Sequence, residues 1–289
     1  VGLIVAGGLV TNTGAALAVP DWPTTFGHNP FLFPWSGMVG GVLVEHGHRL
    51  MGAAIGILTV VLGVALALAE SRRWVRCLGF LAVALVSIQG LVGGLRVVLL
   101  QDTLAIVHGC LAQLFFALLV TLAVVTGGGW AAPAAVPTGA PRLASVGGLA
   151  VGVAYGQVVL GAFTAHAGAL WWHVAGAVAT TGVLVGLSLA VLHEAGEDPV
   201  LAWWGRTVKV LLAVQLALGL GAYTARFTDV GLPGGQLAVI ALPVAHRAVG
   251  ALLLGATVAL ALQLARRRAL PAPAGVGRRD PLVSTQALA

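Results

Sequence analysis

Long apolar segments dominate the chain and constrain it more than any single motif. Eight of them, at about 1–18, 42–69, 74–100, 103–126, 143–164, 169–192, 207–225 and 236–264, follow one another with short polar breaks. A membrane-crossing helix needs roughly 20 mainly apolar residues, and in a bilayer only helices and closed barrels satisfy their own backbone. Charged residues make up 8% of the chain and the mean hydropathy is +1.00, against about 25% charged in globular proteins. A soluble domain is therefore excluded. The expected fold is all-α: a polytopic membrane protein with eight transmembrane helices in two pseudo-symmetric four-helix bundles. The 41 glycines suit closely approaching membrane helices. The first segment lacks a charged n-region and a cleavage site, so it reads as a retained helix and not a signal peptide. The missing initiator Met points to a short leader ahead of residue 1.

The net charge of +6 follows topology and does not indicate nucleic acid. Eleven basic residues (Arg72, Arg73, Arg76, Arg142, Arg206, Lys209, Arg266, Arg267, Arg268, Arg278 and Arg279) fall in alternate loops or the C-terminal tail. Only four, Arg49, Arg96, Arg226 and Arg247, fall on the other side. By the positive-inside rule both termini are expected in the cytoplasm of a cell whose inner (plasma) membrane holds the chain. Cys77 and Cys110 match no metal spacing and read as buried thiols.

Organisation by halves follows from the repeats. Residues 1–127 form one expected four-helix half and 143–265 the other, with a Gly/Ala/Pro-rich linker at 128–142 and a basic, disordered tail at 266–289. Gln89-x3-Gly93 precedes His108, Gln157-x3-Gly161 precedes His173, and Gln215-x3-Gly219 precedes His246. Each unit is a hairpin of a glycine-bearing odd helix and a histidine-bearing even helix, a duplication of a kind common in membrane proteins. The connection at 193–206 reads as an ordinary solvated loop. The long loop at 19–41 interleaves aromatics with prolines, as a segment resting at the membrane interface would, and its length suits a lid.

The chemistry-bearing side chains cluster in the opening turns of the even helices. His48, His108, His173 and His246 occupy equivalent places at similar depth. Ionisable groups inside membrane segments mark functional sites, whereas each histidine alone reads equally as a hydrogen bond to a neighbouring helix. Paired by halves, His48 with His108 and His173 with His246, they suit axial ligation of haem iron. Zinc fits less well, since each half offers few other N or S ligands. Arg49 and Arg247 either chelate haem propionates or snorkel to the interface. Arg96 and Arg226 pose the same choice.

Glu45 lies three residues before His48, and the matching place before His246 is Pro243. A carboxylate beside a macrocycle moves protons or stabilises a cation, which an electron carrier does not need. The competing role is an i,i+4 ion pair with Arg49, worth only about 0.3–0.5 kcal/mol if exposed. The first half is thus the expected catalytic half and the second the electron-carrying one.

These features together resemble the haem A synthase family of eight-helix membrane enzymes in cytochrome oxidase assembly. The resemblance spans nearly the whole chain. It rests on Thr11-x-Thr13-Gly14 leading into Pro20-Asp21-Trp22-Pro23, on Glu45-x-x-His48-Arg49, on His108-Gly109, on His173 and on His246-Arg247. It implies oxidation of the C8 methyl of haem O to a formyl group by successive hydroxylations, with water as oxygen source. Haem O, the substrate that becomes haem A, would sit on the first-half pair and a resident haem b on the second, towards the extracytoplasmic side. It implies an essential Glu45, and haem O synthase and cytochrome oxidase assembly factors as partners beside the lipid bilayer. Many members have cysteines flanking the Pro-Asp-Trp-Pro loop where this chain has Val19 and Thr25. Two other readings compete: a bis-histidine b-type cytochrome that only carries electrons, and a haem-free transporter. The transporter would place polar groups near the midplane.

Overall fold

A computed structural model describes residues 1–131, 134, 136, 137 and 139–268. The described residues form eight α-helices and no strand: α1 (Gly2–Asn12), α2 (Gly40–Ala69), α3 (Arg73–Leu99), α4 (Asp102–Thr126), α5 (Ala140–Ala167), α6 (Leu170–Glu194), α7 (Pro199–Phe227) and α8 (Gln236–Arg268). Seven of them, α2 to α8, are long and apolar enough to cross a membrane, so the chain is a polytopic helical membrane protein.

Three boundaries differ from expectation for local reasons. The first helix ends at Asn12 and not near Ala18. Side chains of Thr11, Asn12 and Thr13 fold back onto the carbonyls of Gly7, Gly8 and Leu9, and Gly14 then takes a φ of +70°, which helical residues do not adopt. The chain turns there and buries Val19 completely. The connection at 193–206 is largely helix, because α7 starts at Pro199. Asp198 caps it by accepting from Val200 N–H and Leu201 N–H at 2.9 and 3.0 Å, and proline suits a first helical turn. Finally, α8 runs on through Arg268. Arg267, expected in the tail, is buried at 1% exposure and binds Asp198 at 2.6 Å and Gln263 Oε1 at 2.8 Å. The rest of the expected tail, including Arg278 and Arg279, and parts of the linker lie outside the described residues.

Helices α5 to α8 close a ring, with α5 packed on α6 and α8, and α7 on both α6 and α8. Its core is built from Leu143, Leu184, Leu187, Val191, Leu201 and Leu260. In the first half α1 packs on α2, α2 on α3 and α3 on α4, while α1 and α4 each pack on α8. Two-thirds of the most apolar stretch of α8 is buried (67%), against 11–28% for the other long helices. It is the central helix of the whole molecule. A third core, of Ala154, Leu254 and Val258 with Ala117 and Val120, joins α4, α5 and α8.

Candidate functional site: two facing histidine pairs

Helix direction brings the four histidines to one end of the bundle, opposite the end that holds Arg72 and Arg267. Within it they form the two pairs expected. The rings of His48 and His108 have centres 6.5 Å apart and planes at 79°. Those of His173 and His246 are 6.1 Å apart at 82°. Two bonds of about 2.0 Å from imidazole nitrogen to a shared metal, with about 1.1 Å from each nitrogen to its ring centre, give a similar separation.

Each ring is accommodated by a glycine of the helix before it. A Cβ on Gly93 would stand 2.8 Å from His108 Cε1, and one on Gly219 3.0 Å from His246 Cε1. Gly7 and Gly161 bear the same relation to His48 and His173, each at 3.2 Å. A Cβ at Gly93 would force the His108 ring to shift, and at the other three the ring would have to give by a few tenths of an ångström. The sequence marks three of these glycines through the Gln-x3-Gly repeat; Gly7, which lacks the glutamine, escaped it.

The glutamines hold the histidines. Gln89 Nε2–H donates to the His108 carbonyl at 2.9 Å, and His108 Nδ1 lies 3.2 Å from the Gln89 carbonyl. Gln157 Nε2 reaches the His173 carbonyl at 2.9 Å and its Nδ1 at 3.0 Å. His246 Nδ1 lies 3.2 Å from the Gln215 main-chain carbonyl, and Gln215 Nε2 lies 3.3 Å from His246 Nε2. An apolar groove of about 410 Å³ between α5 and α6, lined by Gly156, Leu160, Gly176, Ala179 and Thr180, opens beside Gln157.

Glu45 is not a free carboxylate pointing into a cleft. It is buried, with Oε1 on the Arg49 guanidinium at 2.9 Å and Oε2 accepting the Val19 N–H at 2.9 Å. Arg49 also donates to the carbonyls of Val19, Asp21 and Thr24 at 2.8, 2.7 and 3.2 Å. The i,i+4 pair of the sequence is therefore present, but it is buried and shared with the loop. Its loss would leave an uncompensated charge, which costs far more than a surface pair. His46, the residue after Glu45, is buried against the Phe33 ring and lies with Nδ1 3.0 Å from Thr25 Oγ1.

The loop at 19–39 is thus clasped by three residues of α2. Asp21 stabilises it from within: burial acts to raise its carboxyl pKa, but hydrogen bonds from Gly27 N–H, Thr24 Oγ1–H and Phe26 N–H outweigh burial and hold it at about 2. The Trp22 indole lies directly against Gly94, next to the glycine that faces His108. The loop therefore caps the first pair, while Phe31, Leu32 and Trp35 remain exposed at 66%, 78% and 83%.

The remaining arginines differ in what they hold. Among the described residues Arg247 makes one hydrogen bond, to Thr11 Oγ1 at 3.4 Å, and no ion pair. Arg226 donates to Asn12 Oδ1 at 2.8 Å. Arg96 lies within electrostatic reach of His48 and His108.

Among the described residues no three His, Cys, Asp or Glu side chains converge as a self-sufficient metal site. Among the described residues each half brings two imidazoles face to face with no third His, Cys, Asp or Glu converging on them. That donor set fits a metal whose other positions are filled by a macrocycle, as in bis-histidine haem. The ring separations fit the same group. Comparison with family models, with curated proteins and with solved structures gave no match.

Proposed function

We propose that this protein is a haem-binding oxidoreductase of the plasma membrane that converts haem O to haem A. The observation that carries the reading is the pair of facing histidine pairs, of which only the first has a carboxylate, Glu45, in the same helix turn. His48 and His108 would hold the substrate, and His173 and His246 a resident haem b. A haem supplies a one-electron redox centre within the membrane.

Converting a methyl to a formyl group with water as oxygen source removes electrons and protons in equal number. The residues of the chain must then hold the substrate edge, admit water and accept protons. Glu45 is the acid–base group of the first half, and Arg49 opposite keeps its charge balanced. Trp22 and the clasped loop exclude bulk water from that side. Arg247 and Arg96, which lack carboxylate partners among the described residues, are the cations available to propionates. Arg49 is committed to the loop. The histidine end faces outwards and the basic end faces the cytoplasm, following the distribution of Lys and Arg.

The electron-carrier reading draws support from one specific observation: both Glu45 oxygens are engaged in structural contacts. Pigment extraction from membranes containing the protein, with separation of haems B, O and A, separates the two readings. Haem A formation dependent on the protein and on supplied haem O supports the enzyme. Haem B alone, unchanged by added haem O, supports the carrier. A purified protein with no Soret band excludes both.

A further inference from the structure

The groove between α5 and α6 takes part in no step above. Its volume of about 410 Å³ falls within the roughly 300–1,000 Å³ of small-molecule sites. Gly156 and Ala179, which line it, are exposed, so it opens sideways onto lipid. Its floor residue Thr180 follows the start of α6 at Leu170 by ten residues. That is about 15 Å of helix, or half of a bilayer core about 30 Å thick.

Two polar atoms of the lining have nothing to bond to. Thr180 is 6% exposed, and its Oγ1 is buried without a partner. A helical threonine commonly donates to the carbonyl one turn back, as Thr59, Thr121 and Thr257 do here; Thr180 does not. Gln157 Nε2 is engaged with His173, while its Oε1 is also buried and unpartnered. A Cβ on Gly176 would overlap that oxygen, so the oxygen lies against a residue of the groove wall. Gln89 and Gln215 leave the same oxygen unpartnered, but of the three glutamines only Gln157 lines the groove. Nearly all buried polar groups have a partner, and polar groups at membrane depth mark functional sites.

The occupant must therefore be lipid-soluble and must both donate and accept hydrogen bonds near mid-membrane. An acyl chain has no donor, and a lipid headgroup that has one sits at the interface. A quinone on an apolar tail meets the requirement: its carbonyl accepts from the Thr180 hydroxyl, and the hydroxyl of its reduced form donates to Gln157 Oε1. We propose that the groove between α5 and α6 binds a lipid-soluble quinone, which takes up the electrons leaving the second half. The inference rests on the haem reading above and names the class of acceptor that reading needs. Oxidising a methyl to a formyl group with one water releases four electrons and four protons. Each quinone takes two of each to become a quinol, so two quinones balance one formyl group. Gln157 touches both His173 and the groove wall, which sets the two sites one side chain apart. Leu160 Cδ1 shares the space over Gly176 with the amide oxygen, and this side chain turns aside as the ring seats.

The test uses the full chain in detergent, with a photoreactive azido-quinone on a short alkyl tail as probe and mass spectrometry to map the label. Label is expected in α5 and α6 around Gln157 and Thr180. It should be lost with excess decylubiquinone and retained with decanol, which has the tail alone. Gly156→Leu fills the groove from a position where a Cβ meets nothing within 4 Å; it should abolish labelling and leave the Soret band unchanged. Thr180→Val, nearly isosteric, should weaken decylubiquinone binding roughly 2–10-fold, and Thr180→Ser should not. Protein reduced and then freed of reductant should be reoxidised by decylubiquinone, and this reoxidation should be lost in Gly156→Leu. Label that survives decylubiquinone, that decanol displaces equally, or that both Gly156→Leu and Thr180→Val leave untouched overturns the inference, and an intact Soret band then leaves the haem reading standing. Labelling of a protein with no Soret band overturns the haem reading and with it the acceptor role.

Discussion

Gly93 on α3 and His108 on α4 touch across the seam of their hairpin, with 2.8 Å between the imidazole Cε1 and the place a Cβ would take. The same contact recurs between Gly219 and His246 at 3.0 Å. Gly93→Ala is therefore expected to push the His108 ring off its position at an overpacking cost of about 1–3 kcal/mol. If each pair holds a haem, as proposed, bis-histidine absorption from the first half should be lost while the second-half signal stays. Gly219→Ala should do the reverse. Low-temperature difference spectra of the purified variants check it, and unchanged spectra in both would contradict the fit of these pairs to a haem.

Glu45 carries two roles that substitution can separate. Glu45→Gln keeps a hydrogen-bond acceptor for the Val19 N–H but removes the charge opposite Arg49. If Glu45 accepts protons during oxidation, this variant retains its pigment while haem A formation falls by about 10²–10⁴-fold. Arg49→Lys cannot serve three carbonyls and a carboxylate with one compact ammonium. It should loosen the loop at 19–39, seen as faster proteolytic cleavage there. Normal haem A content with Glu45→Gln would reduce the residue to its clasp.

The Asp21 carboxyl gives the loop a defined acid limit. Its folded pKa of about 2 lies below the roughly 3.9 of an unfolded aspartate. A depressed folded pKa contributes stability above the unfolded value and loses it as pH falls through the folded one. Loop protection from protease should thus hold from neutrality to about pH 4 and decline from there towards pH 2. An acid-tolerant protease such as pepsin reads this directly. Asp21→Asn should remove the pH dependence in that window, and a transition near pH 6 would assign loop closure to another group.

Topology follows from the separation of histidines and basic residues to opposite ends. Reporter fusions at Ser71 and Glu197 are expected to report cytoplasm, and those at Gln101, Gly168 and Gly231 the other side. A cytoplasmic signal at Gln101 would invert the placement of both pairs.

How far the sequence could be read depended on the range of each interaction. Hydropathy sets helix number and the histidine repeat sets depth, so α2 to α8 and the two pairings were legible. Helix ends were not, where side chains compete with the periodic pattern. Asn12 and Thr13 fold back on α1, and Asp198 starts α7 well before the apolar run begins. Glu45 and Arg49 were legible as an i,i+4 pair, but their burial was not, because it comes from a loop some 25 to 30 residues away in sequence. The same holds for Thr25 and His46. Val19 and Thr25, where many members of the resembled family have cysteines, here tie the loop to α2 through Glu45 and His46. Gly7 was missed because its hairpin lacks the glutamine that marks the others.

Helix α8 sets an order of manufacture. It supplies His246 to the second pair and also the surface on which α1 and α4 rest. Of the eight helices it is the last to leave the ribosome. Until it inserts, α1 and α4 lack the α8 surface, although α1 already has α2 and α4 already has α3 and α5 to pack on, and the histidines of the first half were translated long before. A nascent chain stalled before α8 has both His48 and His108 but lacks His246, so the first histidine pair can form before the second exists.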